Sequence, residues 1–206
     1  MWSRVIQTRF GNDILETIDS NSRRLGLKYH NVDHIKRMYL FLEAISCPYV
    51  AVLDYAILFH DYVYDGAPFK EERSALEASY LLLEAGVPQE AVDQIVMLIL
   101  ATADHKLTAD SSMNTITMVM ADLHQLAVPS AIKEDYTNII LESANLYKIP
   151  VQEIQNRNKD FMYTLRATVA NNVRYSSYKE LPTHAEFFTK VLQGINAVIS
   201  LAEGPL

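Results

Sequence analysis

Cysteine is almost missing from this chain. Cys47 stands alone among 206 residues, so no intrachain disulfide can form and no thiolate zinc cluster can be built. That usage fits a reducing cytoplasm. Positive charge is also scarce, with 18 Lys and Arg against 25 Asp and Glu, which leaves a net charge of −7 and a pI near 5.3. Nucleic-acid backbones and anionic membrane surfaces select basic proteins, so neither is expected as a partner, whereas a small anionic ligand needs only a local cationic pocket. No uninterrupted apolar run approaches the roughly 18 residues a membrane span needs, and the segment from Met1 to Phe10 has no signal-peptide core. Together these absences predict a soluble cytoplasmic protein. Strand-like alternation, internal repeats, low-complexity tracts and long linkers are absent as well.

What the chain does contain is helical periodicity. Half of its residues are hydrophobic, enough at this length to bury a sizeable core, and the simplest organisation is one domain over residues 1–206. Ile6, Phe10, Ile14, Leu15 and Ile18 mark a first helix that Asp19-Ser20-Asn21-Ser22 should break. Asn31 is placed to cap a second helix through Met38, Leu42 and Ile45, which puts His34 in its first turn. Later helices are predicted over Glu71–Ala85, Gln89 to about Ala103, an apolar stretch ending at Asp122, Ala131–Tyr147, Val151 to about Val173, and about Thr183–Ala202. Tyr175–Tyr178 reads as a loop. The predicted fold class is all-α, a single compact helical bundle.

One stretch concentrates the chemistry. From Tyr49 to Phe59 the only charge is Asp54, so this helix should be packed inside the domain, and His60-Asp61 follow where water is scarce. A buried carboxylate is costly unless it is paired or bound to a metal, so the dyad needs partners elsewhere in the chain. Taken alone it is compatible with a helix cap or hydrogen-bond network as well as with a functional site. His30, His34, His60, Asp61, His105 and Asp122 all punctuate apolar helices, over four helical segments. Imidazole and carboxylate ligands in combination suit Mn, Fe, Co or Zn.

Isolated His34, then His60-Asp61, then Asp122 before Leu123 resembles the H…HD…D pattern of the HD-domain metal-dependent phosphohydrolases, an all-helical superfamily. Within it the chain is most similar to a bacterial and phage group of small predicted phosphohydrolases. The matching motifs are Tyr-His-Asn-x-x-His-Ile at 29–35, Phe-His-Asp-x-Val-Tyr-Asp at 59–65, Glu-Glu-Arg-Ser-Ala at 71–75, Ala-Thr-Ala-x-His at 101–105 and Ala-Asp-Leu at 121–123. The likeness spans about residues 25–165, with the C-terminal helices of 150–203 packed on that core. It departs at Met120, where the group usually has Asp, and at Ala127, where it often has Gly.

The resemblance implies His34, His60, Asp61 and Asp122 as ligands of a divalent ion (Mn, Fe, Co, Zn or Mg). Tyr29-His30-Asn31-x-x-His34 also resembles the first motif of the cyclic nucleotide phosphodiesterases, and that likeness implies His34 as a ligand and His30 as a proton donor to the leaving oxygen. Asp65, four residues after Asp61, would share its face if the helix continues, and could then orient a water or bind a second ion; a helix-stopping aspartate is the other reading. His105 would meet the substrate phosphate or a second metal. Arg73 and Lys70 could neutralise phosphate oxygens, the first as a bidentate fork and the second as a point charge, although a solvated first turn is preferred for Lys70. His124 reads as a neighbour of Asp122 and His184 as an exposed residue.

The expected function is hydrolysis of a phosphate ester or anhydride, in a nucleotide or similar small phosphorylated molecule, by a metal-activated water. Alarmone and cyclic nucleotide hydrolysis are variants of it, the former weakened because Tyr64-Asp65 stands where a Glu-Asp pair is usual. Two readings from other classes are a catalytically idle metal- or nucleotide-binding regulatory domain and a helical partner-binding protein. The 12 tyrosines are compatible with an interface and equally with a substrate-lined pocket or plain core, and a homo-oligomer is left open.

Overall fold

In a computed structural model of the protein, which describes residues 8–48, 50–179 and 181–204, the regular elements are helical, and among the described residues there is no strand. The elements are α1 (Arg9–Leu25), α2 (Val32–Ala44), α3 (Ala51–Phe59), α4 (Lys70–Glu84), α5 (Gln89–Leu100), α6 (Met113–Asp122), a 3₁₀ turn (His124–Ala127), α7 (Ile132–Tyr147), α8 (Val151–Tyr178) and α9 (Pro182–Ala202). They form two compact units that divide after Ala103. No helix among the described residues is long and apolar enough to cross a membrane. The all-α expectation is met.

In the first unit α3 is the centre, packed against α1, α2, α4 and α5. Leu53, Ala56, Ile57, Leu58 and Phe59 are all essentially inaccessible, which accounts for a helix that is apolar on every side. Each large side chain among them contributes roughly 1.5–3 kcal/mol of burial, so the position where α3 ends is fixed by its core. The helix stops at Phe59 and the chain turns, Tyr62 N–H donating to the Phe59 carbonyl. Asp65 therefore does not share a helical face with Asp61.

The second unit is built on the α8–α9 pair, with α7 and the 3₁₀ turn packed against it. Val169, Phe188, Val191 and Ile195 form its core.

Two predicted breaks are helical instead. Across Asp19–Ser22 the helix runs on to Leu25, because Ser22 Oγ donates back to the Asp19 carbonyl and Arg23 pairs with Asp19 one turn away. Gly26, at φ 70°, then closes α1 in the left-handed conformation that glycine adopts without strain. Tyr175–Tyr178 likewise belongs to α8, where Ser176 is fully buried and Ser177 Oγ donates to the Val173 carbonyl. Conversely, the helix read as reaching Ala103 ends at Leu100 and continues as turns. Ile6 and Tyr49, used in the sequence reading, lie outside the described residues.

Gly194 lets α9 approach the turn that follows α6: a Cβ there would overlap the Leu126 carbonyl oxygen. Replacing a helical glycine by alanine ordinarily gains about 1 kcal/mol. Here backbone is the obstacle, and the overpacking cost of about 1–3 kcal/mol should reverse the sign. Gly194→Ala is expected to lower the urea midpoint; a raised midpoint would show that α9 can move away without penalty.

Candidate metal centre

The first unit gathers its histidines by capping and termination. Asn31 Oδ1 accepts the backbone N–H groups of Asp33 (2.9 Å) and His34 (3.4 Å), so the Asn-x-x-His spacing fixes His34 in the first turn of α2. His60 is the residue on which α3 ends. Both side chains are about 1% exposed, and their Nε2 atoms lie 3.3 Å apart. His60 Nδ1 is 2.9 Å from the carbonyl of Ile57, an acceptor only, so Nδ1 carries the proton and donates. In neutral His60 the lone pair is then on Nε2, which lies 3.0 Å from Asp61 Oδ2.

Two acceptors at that spacing are reconciled by a proton on Nε2, making His60 an imidazolium, or by a cation held between them. The donor chemistry fits a cation. With ligand bonds of about 2.0–2.2 Å, neighbouring ligand atoms in tetrahedral or octahedral arrangements stand roughly 2.8–3.6 Å apart. The His60–Asp61 and His60–His34 separations of 3.0 and 3.3 Å, taken pair by pair, fall inside that range. A backbone carbonyl fixing the outer nitrogen of a histidine is also the usual support of a metal-ligating imidazole.

Asp61 is nearly enclosed. Burial alone would raise its carboxyl, but the charges of His60, Lys70 and His30 and the hydrogen bond from His60 outweigh that and hold it well below the usual carboxylate range. His30 Nε2 is 4.0 Å from Asp61 Oδ2, and the His30 ring stacks on Tyr64 at 3.9 Å with an interplanar angle of 18°. His30, Asp61, Tyr64, Asp65 and Arg24 line a cavity of about 160 Å³. A larger hollow of about 670 Å³ beside α1 and the entry of α2 contains none of the histidines.

The cations assigned to phosphate contact are held by carboxylates. Lys70 is not a solvated first-turn residue: its Nζ bonds Asp61 Oδ1 (2.8 Å) and Glu71 Oε1 (2.7 Å). Arg73 forks onto Asp65 at 2.6 and 2.9 Å, and Asp65 Oδ1 also accepts the Ala67 N–H. Ser74, fully buried, accepts the Val63 N–H at 3.0 Å. The Glu-Glu-Arg-Ser motif, together with Lys70, thus fastens the loop that follows the dyad to the first turns of α4. Sequence reasoning recognised the motif without this role. Arg24 was not singled out; its guanidinium bonds the Asn21 side chain at 3.3 Å.

In the second unit, His105 Nε2 lies 2.8 Å from Asp122 Oδ2. His105 has a left-handed backbone, φ 55°, held by the fully buried Asn172: Asn172 Nδ2 donates to the His105 carbonyl (2.8 Å), and Asn172 Oδ1 accepts the Leu107 N–H (3.0 Å). Asn172 had no signal in the sequence, because one asparagine inside a long helix looks like a surface residue. His124 is buried, with Nδ1 at 2.6 Å from the Ala121 carbonyl, and His184 is half-buried rather than exposed, its imidazole lowered by that burial.

Compared with family models, curated proteins and solved structures, the chain matches none.

Two outcomes test these assignments. Asn172→Ala should cost about 1–3 kcal/mol, the usual price of stranding a buried partner, and should shift the His105 ring resonances in a proton–nitrogen spectrum; unchanged stability and unchanged resonances would refute the clamp. The hydrogen bonds and charge of Arg73 depress the Asp65 carboxyl. A depressed carboxyl adds stability that is fully present above its unfolded value of about 4 and is lost as pH falls toward the folded one. The pair is largely exposed and screened, so Arg73→Met should cost about 1 kcal/mol or less at pH near 6, and less again near pH 2.5. Urea melts at both pH values decide it, and a difference that grows in acid would contradict the assignment.

Proposed function

We propose that the protein is a metal-dependent phosphohydrolase acting on a small phosphorylated molecule, a nucleotide or a similar ester or anhydride. The observation that carries this reading is the His60 imidazole: Ile57 fixes its proton on Nδ1, and its Nε2 faces both His34 Nε2 and Asp61 Oδ2. His34, His60 and Asp61 would hold the ion. Asp122 enters from the sequence pattern alone, as a further ligand. Such an ion, when bound, supplies Lewis acidity toward a phosphoryl oxygen and makes water an effective nucleophile at neutral pH.

The chain's own residues divide the remaining work. His30 borders the cavity beside Asp61, with its ring orientation held by Tyr64, and is suited to deliver a proton to the leaving oxygen. Asp65 is less suited to proton transfer, because Arg73 and the Ala67 N–H hold it as a stable carboxylate. Arg24 is the cation of the cavity lining that would meet phosphate, as a bidentate donor. Lys70 and Arg73 serve the carboxylates they already hold.

Chelator-treated protein reloaded with Mn, Co, Mg or Zn and offered a panel of nucleotides and phosphate esters tests the reading. His34→Ala, His60→Ala and Asp122→Ala should each lose metal. His30→Ala should keep metal near the wild-type level while turnover falls by about 10² to 10⁴-fold, the range for a lost general acid. Hydrolysis of no phosphate ester by a fully loaded protein would sink the proposal, and loss of metal from His30→Ala would move His30 into the ligand set.

A further inference from the structure

We propose that Lys70 is an internal counter-ion of the candidate centre, one that competes with a divalent cation for the charge of Asp61 and so sets the affinity of the site. The inference rests on the metal reading above and adds a determinant of affinity that the ligand set does not contain.

The two oxygens of Asp61 face different groups. Oδ2 is turned to His60 Nε2 at 3.0 Å, and Oδ1 to Lys70 Nζ at 2.8 Å. Lys70 reaches this position from the first residue of α4, where its ammonium also contacts Glu71 Oε1 at 2.7 Å and lies 5.1 Å from the centre of the Tyr64 ring. That ring is the one stacked on His30. A buried carboxylate with neither a cation nor a hydrogen-bond partner would be expensive, and Lys70 supplies both. The protein therefore has its own positive charge at Asp61 before any ion arrives.

A lysine here could act in two ways, and they predict opposite effects on metal affinity. If Lys70 aims the carboxylate, removing it should weaken binding, by about 10–100-fold for a typical supporting residue. If its charge dominates, a divalent ion on Oδ2 meets a like charge across the same carboxylate, and removing Lys70 should tighten binding. The geometry favours the second. Asp61 is already positioned by the turn that closes α3, where the Tyr62 N–H is tied to the Phe59 carbonyl, and its carboxylate is only 9% exposed. Lys70 is a flexible side chain, 34% exposed, whose ammonium can move toward water without a change of backbone. Glu71 offsets part of the Lys70 charge, while Lys70 contacts Asp61 directly at 2.8 Å, well within the distance at which salt would screen it. By reciprocity, a group that disfavours the bound ion stabilises the metal-free protein relative to the loaded one.

The experiment measures the affinity of the chelator-treated 206-residue chain for Mn²⁺ and Zn²⁺ by calorimetry, together with melting temperatures without and with metal. Lys70→Met should bind on the order of 10-fold more tightly than wild type, melt lower without metal, and gain more from metal addition. Lys70→Arg, which keeps the charge, should stay close to wild type. Lys70→Gln keeps an N–H donor without the charge and should follow Lys70→Met; it also decides the matter alone if Lys70→Met does not fold. Should wild type bind metal while the Met and Gln variants bind no more tightly, or more weakly, Lys70 is not a competing counter-ion and the metal reading survives. Should wild type bind neither ion, the metal reading fails and this proposal fails with it.

Discussion

The first unit is organised by the need to compensate polar atoms that its own core has enclosed. Helix α3 is apolar but for Asp54 and Tyr55 and ends inside the packing, so His60, which closes it, is enclosed, and the chain reaches solvent only farther on, at Asp65 and at Ala67 to Phe69. His60 answers this by donating Nδ1–H to the carbonyl of Ile57, one turn back, which satisfies one nitrogen and commits the other. Its Nε2 is turned toward His34 and Asp61, and the charge of Asp61 is met within the chain by His60 at Oδ2 and by Lys70 at Oδ1.

The loop beyond the dyad is the second consequence. Because α3 stops at Phe59, residues 60–69 have no helical ladder, and their polar groups are met from the first turns of α4. Lys70 takes Asp61, Arg73 takes Asp65, and Ser74 takes the Val63 N–H. One short motif thus holds the dyad, the turn and the entry of the next helix in fixed relation. Its charges are consumed in doing so, which is why the cations nearest the dyad in sequence are poor candidates for holding a substrate phosphate.

Much of this was legible in the sequence. Asn31 as a cap, the continuous apolarity of α3, Gly86 after α4 and the prolines that open α5, α8 and α9 are local signals, and local physics decides them. The misread breaks at Asp19–Ser22 and Tyr175–Tyr178 were runs of small polar residues that favour turns in isolation. In the folded chain the hydroxyls of Ser22 and Ser177 bond back to helical carbonyls, and Ser176 is covered by packing that no local window contains. Lys70 and Arg73 were visible as charges, but their partners depend on how the loop folds back. Asn172 grips residues more than sixty positions away, and nothing near it in the sequence announces that.

The most direct measurement is a nitrogen-15 spectrum of the imidazole rings, recorded before and after addition of Zn²⁺. His60 is expected to keep its proton on Nδ1 throughout, while the Nε2 resonances of His60 and His34 move together into the metal-bound range. A His60 ring without a proton on Nδ1, or Nε2 resonances unmoved at saturating Zn²⁺, would contradict that expectation.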